Sequence, residues 1–136
     1  MAPAHEQPPD PSAPRHAAAY VTLPRDPRCA ALARSFLSDR LAGVSAETLA
    51  SAHLVASELV SNAYRHGEGA ITLSVDRFAD RLRIEVRDDG SGVAPKVREQ
   101  GGDDTGGWGL QIVEGLSTRW GAYEGTTHVW ADLPLQ

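Results

Sequence analysis

Three polar residues stand at helical spacing and carry groups that suit magnesium–phosphate chemistry. Glu58, Asn62 and Arg65 follow one another at i, i+4 and i+7, which places them within about 60° of each other on a helix. The neutral amide oxygen of Asn62 can complete the octahedral shell of a Mg²⁺ ion already held by phosphates. A carboxylate one turn earlier can orient or deprotonate an attacking hydroxyl or water. The alternative is a surface ion pair between Glu58 and Arg65 beside a solvated amide.

Asparagine is an unusual residue for the middle of a helix. Its amide competes with the backbone for hydrogen bonds, so it is a poor helix former. Asn62 nevertheless stands mid-helix at the border of an apolar arc. This position indicates that something other than helix stability favours an amide there.

An aspartate and two glycines follow directly on a predicted strand. Asp88, Gly90 and Gly92 belong to the run Asp-Asp-Gly-Ser-Gly. The glycines allow a planar ligand to approach the backbone closely, and the Asp88 carboxylate can accept a hydrogen bond from an exocyclic amine such as that of adenine. The alternative is an ordinary aspartate–glycine turn.

A second glycine cluster leads into a helix. Residues 106–110 read Gly-Gly-Trp-Gly-Leu, and backbone N–H groups at a glycine-rich helix N-terminus bind phosphate well. Lys96 and Arg98 in the preceding loop are candidates for phosphate contact. The alternatives are a flexible loop with a helix start and, for the two cations, solvated side chains.

The elements that must position these groups are predicted from periodicity. A first helix is expected from Pro27, with Asp26 as its cap, to Gly43. The second, opened by Ser45 and running to about His66, has the strongest apolar pattern, and a third is expected over residues 110–119. Strands are predicted over residues 20–23, 71–75, 82–86, 120–123 and 127–133. These elements predict an α/β (α+β) two-layer sandwich, with a mixed β-sheet packed against helices.

Composition limits the classes of function. The chain has 136 residues, which fits one domain, and a formal net charge of -5 without a basic block, which argues against direct nucleic-acid binding. One cysteine, Cys29, excludes an intramolecular disulfide and a cysteine-based zinc site. No stretch is long enough to span a bilayer and the start is not a signal peptide, so we expect a cytoplasmic protein.

The five prolines before residue 18 predict a disordered tail over residues 1–18, followed by one domain over residues 19–136.

The three motifs in this order resemble the GHKL (histidine-kinase-like) ATP-binding domain. Residues 58–67, Glu-Leu-Val-Ser-Asn-Ala-Tyr-Arg-His-Gly, are similar to its N-box. Asp88, Gly90 and Gly92 resemble its first glycine box, and residues 107–110 resemble its second. The resemblance covers roughly residues 20–136 and implies the Bergerat-type sheet with helices on one face.

The resemblance also implies roles for individual residues. Asn62 would ligate magnesium, Glu58 would be the general base, and Asp88 would bind the adenine amino group. Residues 93–105 would form a mobile lid. The other nucleotide-binding candidates are Arg65, Gly90, Gly92, Gly107, Trp108, Gly109, Leu110 and Thr127.

Two positions depart from the family pattern. A threonine of the last strand often supports the adenine pocket in relatives, and His128 stands in that slot here, directly after Thr127. The position before Gly109, often arginine in relatives, is Trp108. The Trp108 departure bears on catalysis more than on nucleotide binding, and the His128 departure bears on the support of adenine by Thr127.

A free-standing domain of this length looks most like the anti-sigma-factor serine kinases, stand-alone regulators that are common in actinobacteria. The resemblance implies an ATP- and Mg²⁺-dependent serine/threonine protein kinase that acts in transcription regulation. Its expected partners are a sigma factor and an anti-sigma-factor antagonist, with homodimers as a possible state and no membrane partner. The alternatives are a nucleotide-dependent partner-binding module without phosphotransfer and a plain ATPase.

Overall fold

The computed structural model describes residues 19–90, 105–122 and 128–135, with only the backbone described for residues 105–109. The predicted tail over residues 1–18 lies outside the described residues. The elements follow the order β1 (Ala19–Leu23), α1 (Cys29–Arg40), α2 (Ala46–His66), β2 (Ile71–Arg77), β3 (Arg81–Arg87), α3 (Thr105–Leu116), β4 (Arg119–Ala122) and β5 (Val129–Pro134).

The strands form one five-stranded sheet in the order β1-β2-β3-β5-β4. The three helices cover one of its faces, and the predicted α+β two-layer class is therefore confirmed. The expected mixture of strand directions is not found, because each of the four strand pairings described is antiparallel. Since β3 and β5 are neighbours but far apart in sequence, the chain between them must leave the sheet and return.

The core lies between the sheet and the helices. Alternate residues of β2, β3 and β5 point into it, as the period of two in a strand requires: Ile71, Leu73, Val75, Leu82, Ile84, Val86, Val129, Ala131 and Leu133. Cys29 is buried at the start of α1, and this burial raises the pKa of its thiol. In the described part of the chain, no helix is long and apolar enough to cross a membrane.

Helix α2 lies at the centre of the helical layer and packs against α1, α3 and the sheet. Its start matches the prediction, because the Ser45 hydroxyl accepts a hydrogen bond from the backbone N–H of Thr48 at 3.1 Å and so satisfies one of the helix's free donors. Its buried arc includes Ala52, Ala56 and Leu59. The helix that carries the candidate site residues is thus fixed at its start and along one side.

Two helix starts differ from their predictions. Helix α1 begins at Cys29 rather than Pro27. The Asp26 carboxylate accepts from the backbone N–H and the side chain of Arg28, and residues 27–28 form a turn ahead of the first helical residue. The same hydrogen bonds lower the pKa of Asp26. Helix α3 begins at Thr105 rather than Leu110. Glycine disfavours a helix interior, but packing of α3 against α2 outweighs that local preference.

The sheet face opposite the helices is polar, yet part of it is buried. Arg83 and Asp132 face each other across β3 and β5 and form a two-bond ion pair at 2.7 and 2.8 Å. Both side chains are only 2% exposed. The Arg83 guanidinium also lies 4.3 Å from the ring centroid of the buried Trp130.

Candidate functional site

The polar strip predicted on α2 lies at the edge of the core. Asn62 is buried, Glu58 is half-buried one turn earlier, and Arg65 is exposed. The alternative ion pair between Glu58 and Arg65 is not found among the described residues, where Arg65 instead contacts Asn62. The Glu58 carboxylate therefore remains available at the rim of the core.

The Asn62 amide is the most unusual polar group of the strip. Its side chain is 5% exposed, and its Nδ2 has no hydrogen-bond partner among the described residues. Its Oδ1 accepts only a long contact from Arg65 Nη2 at 3.5 Å. A buried amide nitrogen without a partner costs about 1–3 kcal/mol, so Asn62 is poorly explained by stability. Its oxygen, held only by the long contact from Arg65, suits a ligand.

The second motif meets the end of α2. Asp88 follows β3 directly, and its Oδ1 accepts from the Gly90 backbone N–H at 2.6 Å. Its Oδ2 packs against Gly67, where a Cβ atom would overlap the carboxylate. The sequence placed Gly67 at the end of the N-box segment without a role of its own, and its contact with Asp88, which is distant in sequence, left no local signal. The chain thus brings the Asn62 helix and Asp88 to one end of the sheet.

The segments beside this contact are joined by further hydrogen bonds. The Asp89 backbone N–H donates to the Glu68 carbonyl at 2.8 Å, and the Ala70 N–H donates to Asp89 Oδ2 at 3.2 Å. Gly69 adopts a φ of +71°, and a Cβ there would overlap the Asp89 side chain. Residues 67–70 and 88–90 therefore form a single interlocked turn, which we call the double turn.

We expect Gly67→Ala to destabilise the protein by about 1–3 kcal/mol. The added Cβ would meet both the Asp88 carboxylate and the Ala63 carbonyl oxygen, the latter at 2.7 Å, and the helix backbone cannot move away freely. Urea unfolding followed by circular dichroism measures the change. Gly115→Ala is the matched control, because nothing lies within 4 Å of a Cβ at that helical position, and it should be neutral or stabilising. Equal stability of both variants would contradict the packing described.

The glycine cluster over residues 106–110 and the loop before it lie partly outside the described residues. Gly107, Trp108 and Gly109 belong to the backbone of the first turns of α3, where the first four N–H groups lack partners within the helix. Leu110 is buried and its side chain belongs to the core. Of the lid predicted over residues 93–105, residues 93–104, with Lys96 and Arg98, lie outside the described residues, and Thr105 begins α3. Gly92 and Thr127 also lie outside the described residues. The roles assigned to these residues stay predictions.

His128 lies on the sheet face away from the helices. Its Nε2 is 2.7 Å from Glu85 Oε1, and both line a groove of about 360 Å³ with Tyr20, Thr22, Thr72, Ser74 and Arg87. The neighbouring Val129 points into the core. The His128 side chain is therefore directed away from Asn62 and Asp88, and it does not replace the threonine expected beside the adenine.

The described side chains suit a magnesium ion that takes most of its ligands from phosphates and water. In residues 19–90, 105–122 and 128–135, no group of three or more His, Cys, Asp or Glu side chains could hold a metal ion. A single amide oxygen provides one of the six ligands that Mg²⁺ requires. Asn62 Oδ1 fits this role when phosphates and water supply the others, provided that Arg65 moves away from the oxygen.

Comparison with known proteins identifies one family. The sequence model described as histidine kinase-like ATPase domain matches residues 23–132. This range contains α2, the double turn and α3. No curated protein matches the chain.

Proposed function

The chain belongs to the histidine kinase-like ATPase family, and we propose that it is an ATP-binding regulatory protein that transfers the γ-phosphate to a serine of a partner protein. The proposed partner is an anti-sigma-factor antagonist, and the protein itself would be an anti-sigma factor that binds a sigma factor. The amino-acid sequence of residues 58–67 supports this subtype. The family membership supports ATP binding.

The observation that carries the proposal is the Asn62 amide. It is buried, its nitrogen has no partner among the described residues, and it lies one turn from a carboxylate. A helix surface selected for stability alone would not keep this residue at the edge of the core. The arrangement suits a metal–phosphate ligand beside a general base.

Each residue then has a defined part in the transfer. Bound magnesium would neutralise the charge that develops on the phosphate oxygens. Asp88 would accept a hydrogen bond from the adenine amino group, and Asn62 would supply one oxygen to the metal. Glu58 would take the proton of the serine hydroxyl. The serine oxygen would form a bond to the γ-phosphorus while the bond to the β–γ bridging oxygen breaks, so ADP leaves with that electron pair.

A labelling experiment tests the proposal. The purified chain is incubated with Mg²⁺, γ-labelled ATP and the soluble proteins of its source cells, and labelled proteins are identified by mass spectrometry. We expect one small protein to carry phosphate on a serine only when the chain is added. ATP binding without any such label would favour a partner-binding module without phosphotransfer. No ATP binding by folded protein would mean that the motifs serve as a scaffold only.

Asn62→Ala and Asp88→Ala should affect nucleotide binding in different ways. We expect Asn62→Ala to weaken Mg²⁺-dependent ATP binding at least about tenfold and to leave Mg²⁺-free binding almost unchanged. Asp88→Ala should weaken ATP and ADP equally, about tenfold or more, with or without the metal, because a charge-assisted hydrogen bond to the base is lost. Calorimetry measures both. Asp39→Ala, an exposed change on α1, is the control, and wild-type binding by both site variants would contradict the assignment.

A further inference from the structure

Arg25 joins the segment between β1 and α1 to the far end of α2. Its Nη1 donates to the backbone carbonyls of Ala63 and Tyr64 at 2.9 and 2.7 Å, and its Nε donates to the carbonyl of Gly69 at 2.7 Å. These acceptors are 38 to 44 residues away in sequence. One side chain therefore holds both the last turn of α2 and the segment that follows it.

The chemistry of a helix end explains why a guanidinium suits this place. The last carbonyls of a helix lack partners within it and carry partial negative charge. Helix α2 ends at Gly67 in an extended conformation, with φ -96° and ψ -164°, rather than in the left-handed turn that usually satisfies these groups. Arg25 supplies a donor to the Tyr64 carbonyl and a second donor to the Ala63 carbonyl, which also accepts from the Gly67 N–H at 2.9 Å, and it adds positive charge. No carboxylate pairs with it among the described residues, so backbone oxygens are its partners there.

The bond to Gly69 extends this clamp to the double turn. Gly69 packs against Asp89, and Gly67 packs against the carboxylate of Asp88. Arg25 thus bonds both to the last turn of α2 and to Gly69 in the double turn, on either side of Gly67 in the chain. Loss of the guanidinium would remove these three hydrogen bonds, so the position of Gly67, against which Asp88 Oδ2 packs, would be less firmly fixed, although the Gly90 N–H still donates to Asp88 Oδ1.

We propose that Arg25 is a positioning residue that holds Asp88 in the orientation needed to select adenine. This inference rests on the proposed nucleotide site and adds a determinant of base specificity outside its three motifs. Guanine presents a carbonyl oxygen where adenine presents an amine, so a fixed carboxylate rejects it. A carboxylate that is not held in place discriminates less, even though it keeps its charge.

The test compares the full-length wild type with Arg25→Ala and Arg25→Lys by calorimetry with ATP, ADP and GTP. We expect Arg25→Ala to bind ATP and ADP about tenfold more weakly, to lose most of its preference for ATP over GTP, and to keep the wild-type effect of Mg²⁺. Arg25→Lys should lie between, because an ammonium lacks the planar fork of donors. Millimolar methylguanidinium should restore part of the ATP affinity of Arg25→Ala and leave wild type unchanged.

Arg28→Ala is the matched control, because that exposed arginine pairs only with Asp26 among the described residues, and it should bind as wild type does. If folded Arg25→Ala or Arg25→Lys keeps the wild-type affinity and ATP/GTP ratio, Arg25 is structural and the positioning role is wrong. If Arg25→Ala does not fold, Arg25→Lys alone decides. If wild type binds no nucleotide, the proposed function itself fails and this role fails with it.

Discussion

Glu58→Gln should reduce phosphate transfer to serine by about 10²- to 10⁴-fold, the range expected for the loss of a general base. Glutamine keeps the size of the side chain and its hydrogen-bonding oxygen but cannot take the serine proton. Glu58 is half-buried and has no ion pair among the described residues. Its replacement therefore deprives no described cationic side chain of a counter-charge. A general base acts in the transition state and not in ground-state binding. The ATP affinity should therefore stay within about twofold of wild type.

Single-turnover transfer from labelled ATP to the acceptor protein measures this effect, and calorimetry measures the affinity. Glu47→Gln is the matched control, since Glu47 is exposed in the first turn of the same helix. Transfer that is unchanged in Glu58→Gln would remove the general-base assignment. Loss of ATP binding together with transfer would instead place Glu58 among the binding residues.

Asp132→Ala should lower the free energy of unfolding by about 3–5 kcal/mol, the typical result of removing one partner of a buried ion pair. Arg83 would stay buried and would lose the carboxylate that accepts two hydrogen bonds from it. Two further guanidiniums, those of Arg81 and Arg119, lie 3.7 Å from the same carboxylate and would lose their shared counter-charge. The effect is on stability alone, because this pair lies on the sheet face away from α2.

Urea denaturation measures this loss. A lower urea concentration at the unfolding midpoint with an unchanged m-value indicates altered stability. Asp80→Ala is the matched control: its side chain is 80% exposed and pairs only with the surface end of Arg81 among the described residues, so a change within about 0.5 kcal/mol is expected. The double change Arg83→Met with Asp132→Leu removes this pair of charges and should recover part of the loss, while Asp76, buried opposite Arg83 in β2, stays in place. A small effect of Asp132→Ala would mean that water reaches Arg83.

Local patterns predicted the elements whose boundaries depend on nearby residues. The Ser45 cap, the apolar period of α2 and the alternation of β2 and β3 all act over a few residues, and the structure confirms them. The predicted starts of α1 and α3 were wrong: a turn in which Asp26 accepts from Arg28 precedes α1, and α3 includes three glycines ahead of Leu110. Sequence pattern alone cannot weigh such contacts against propensity.

In the candidate site, too, only features that depend on nearby residues could be predicted from the sequence. Glu58 and Asn62 could be placed together because helical spacing decides their relation. The contact between Gly67 and Asp88, the clamp made by Arg25 and the burial of Arg83 could not, because each joins residues that are distant in sequence. Arg83 stands at a polar position of the β3 alternation, and only the register with β5 places Asp132 opposite it.

The hairpin between β2 and β3 has a practical consequence for handling the protein on a surface. Its connection, residues 78–80, lies at the opposite end of the two strands from the double turn, and seven-residue strands separate these ends by about 23 Å. Ala79 is exposed there. Cys29 is 2% exposed with a raised thiol pKa, so thiol coupling after Ala79→Cys would be selective for the new position. A chain tethered through that position would present Asn62, Gly67 and Asp88 away from the support.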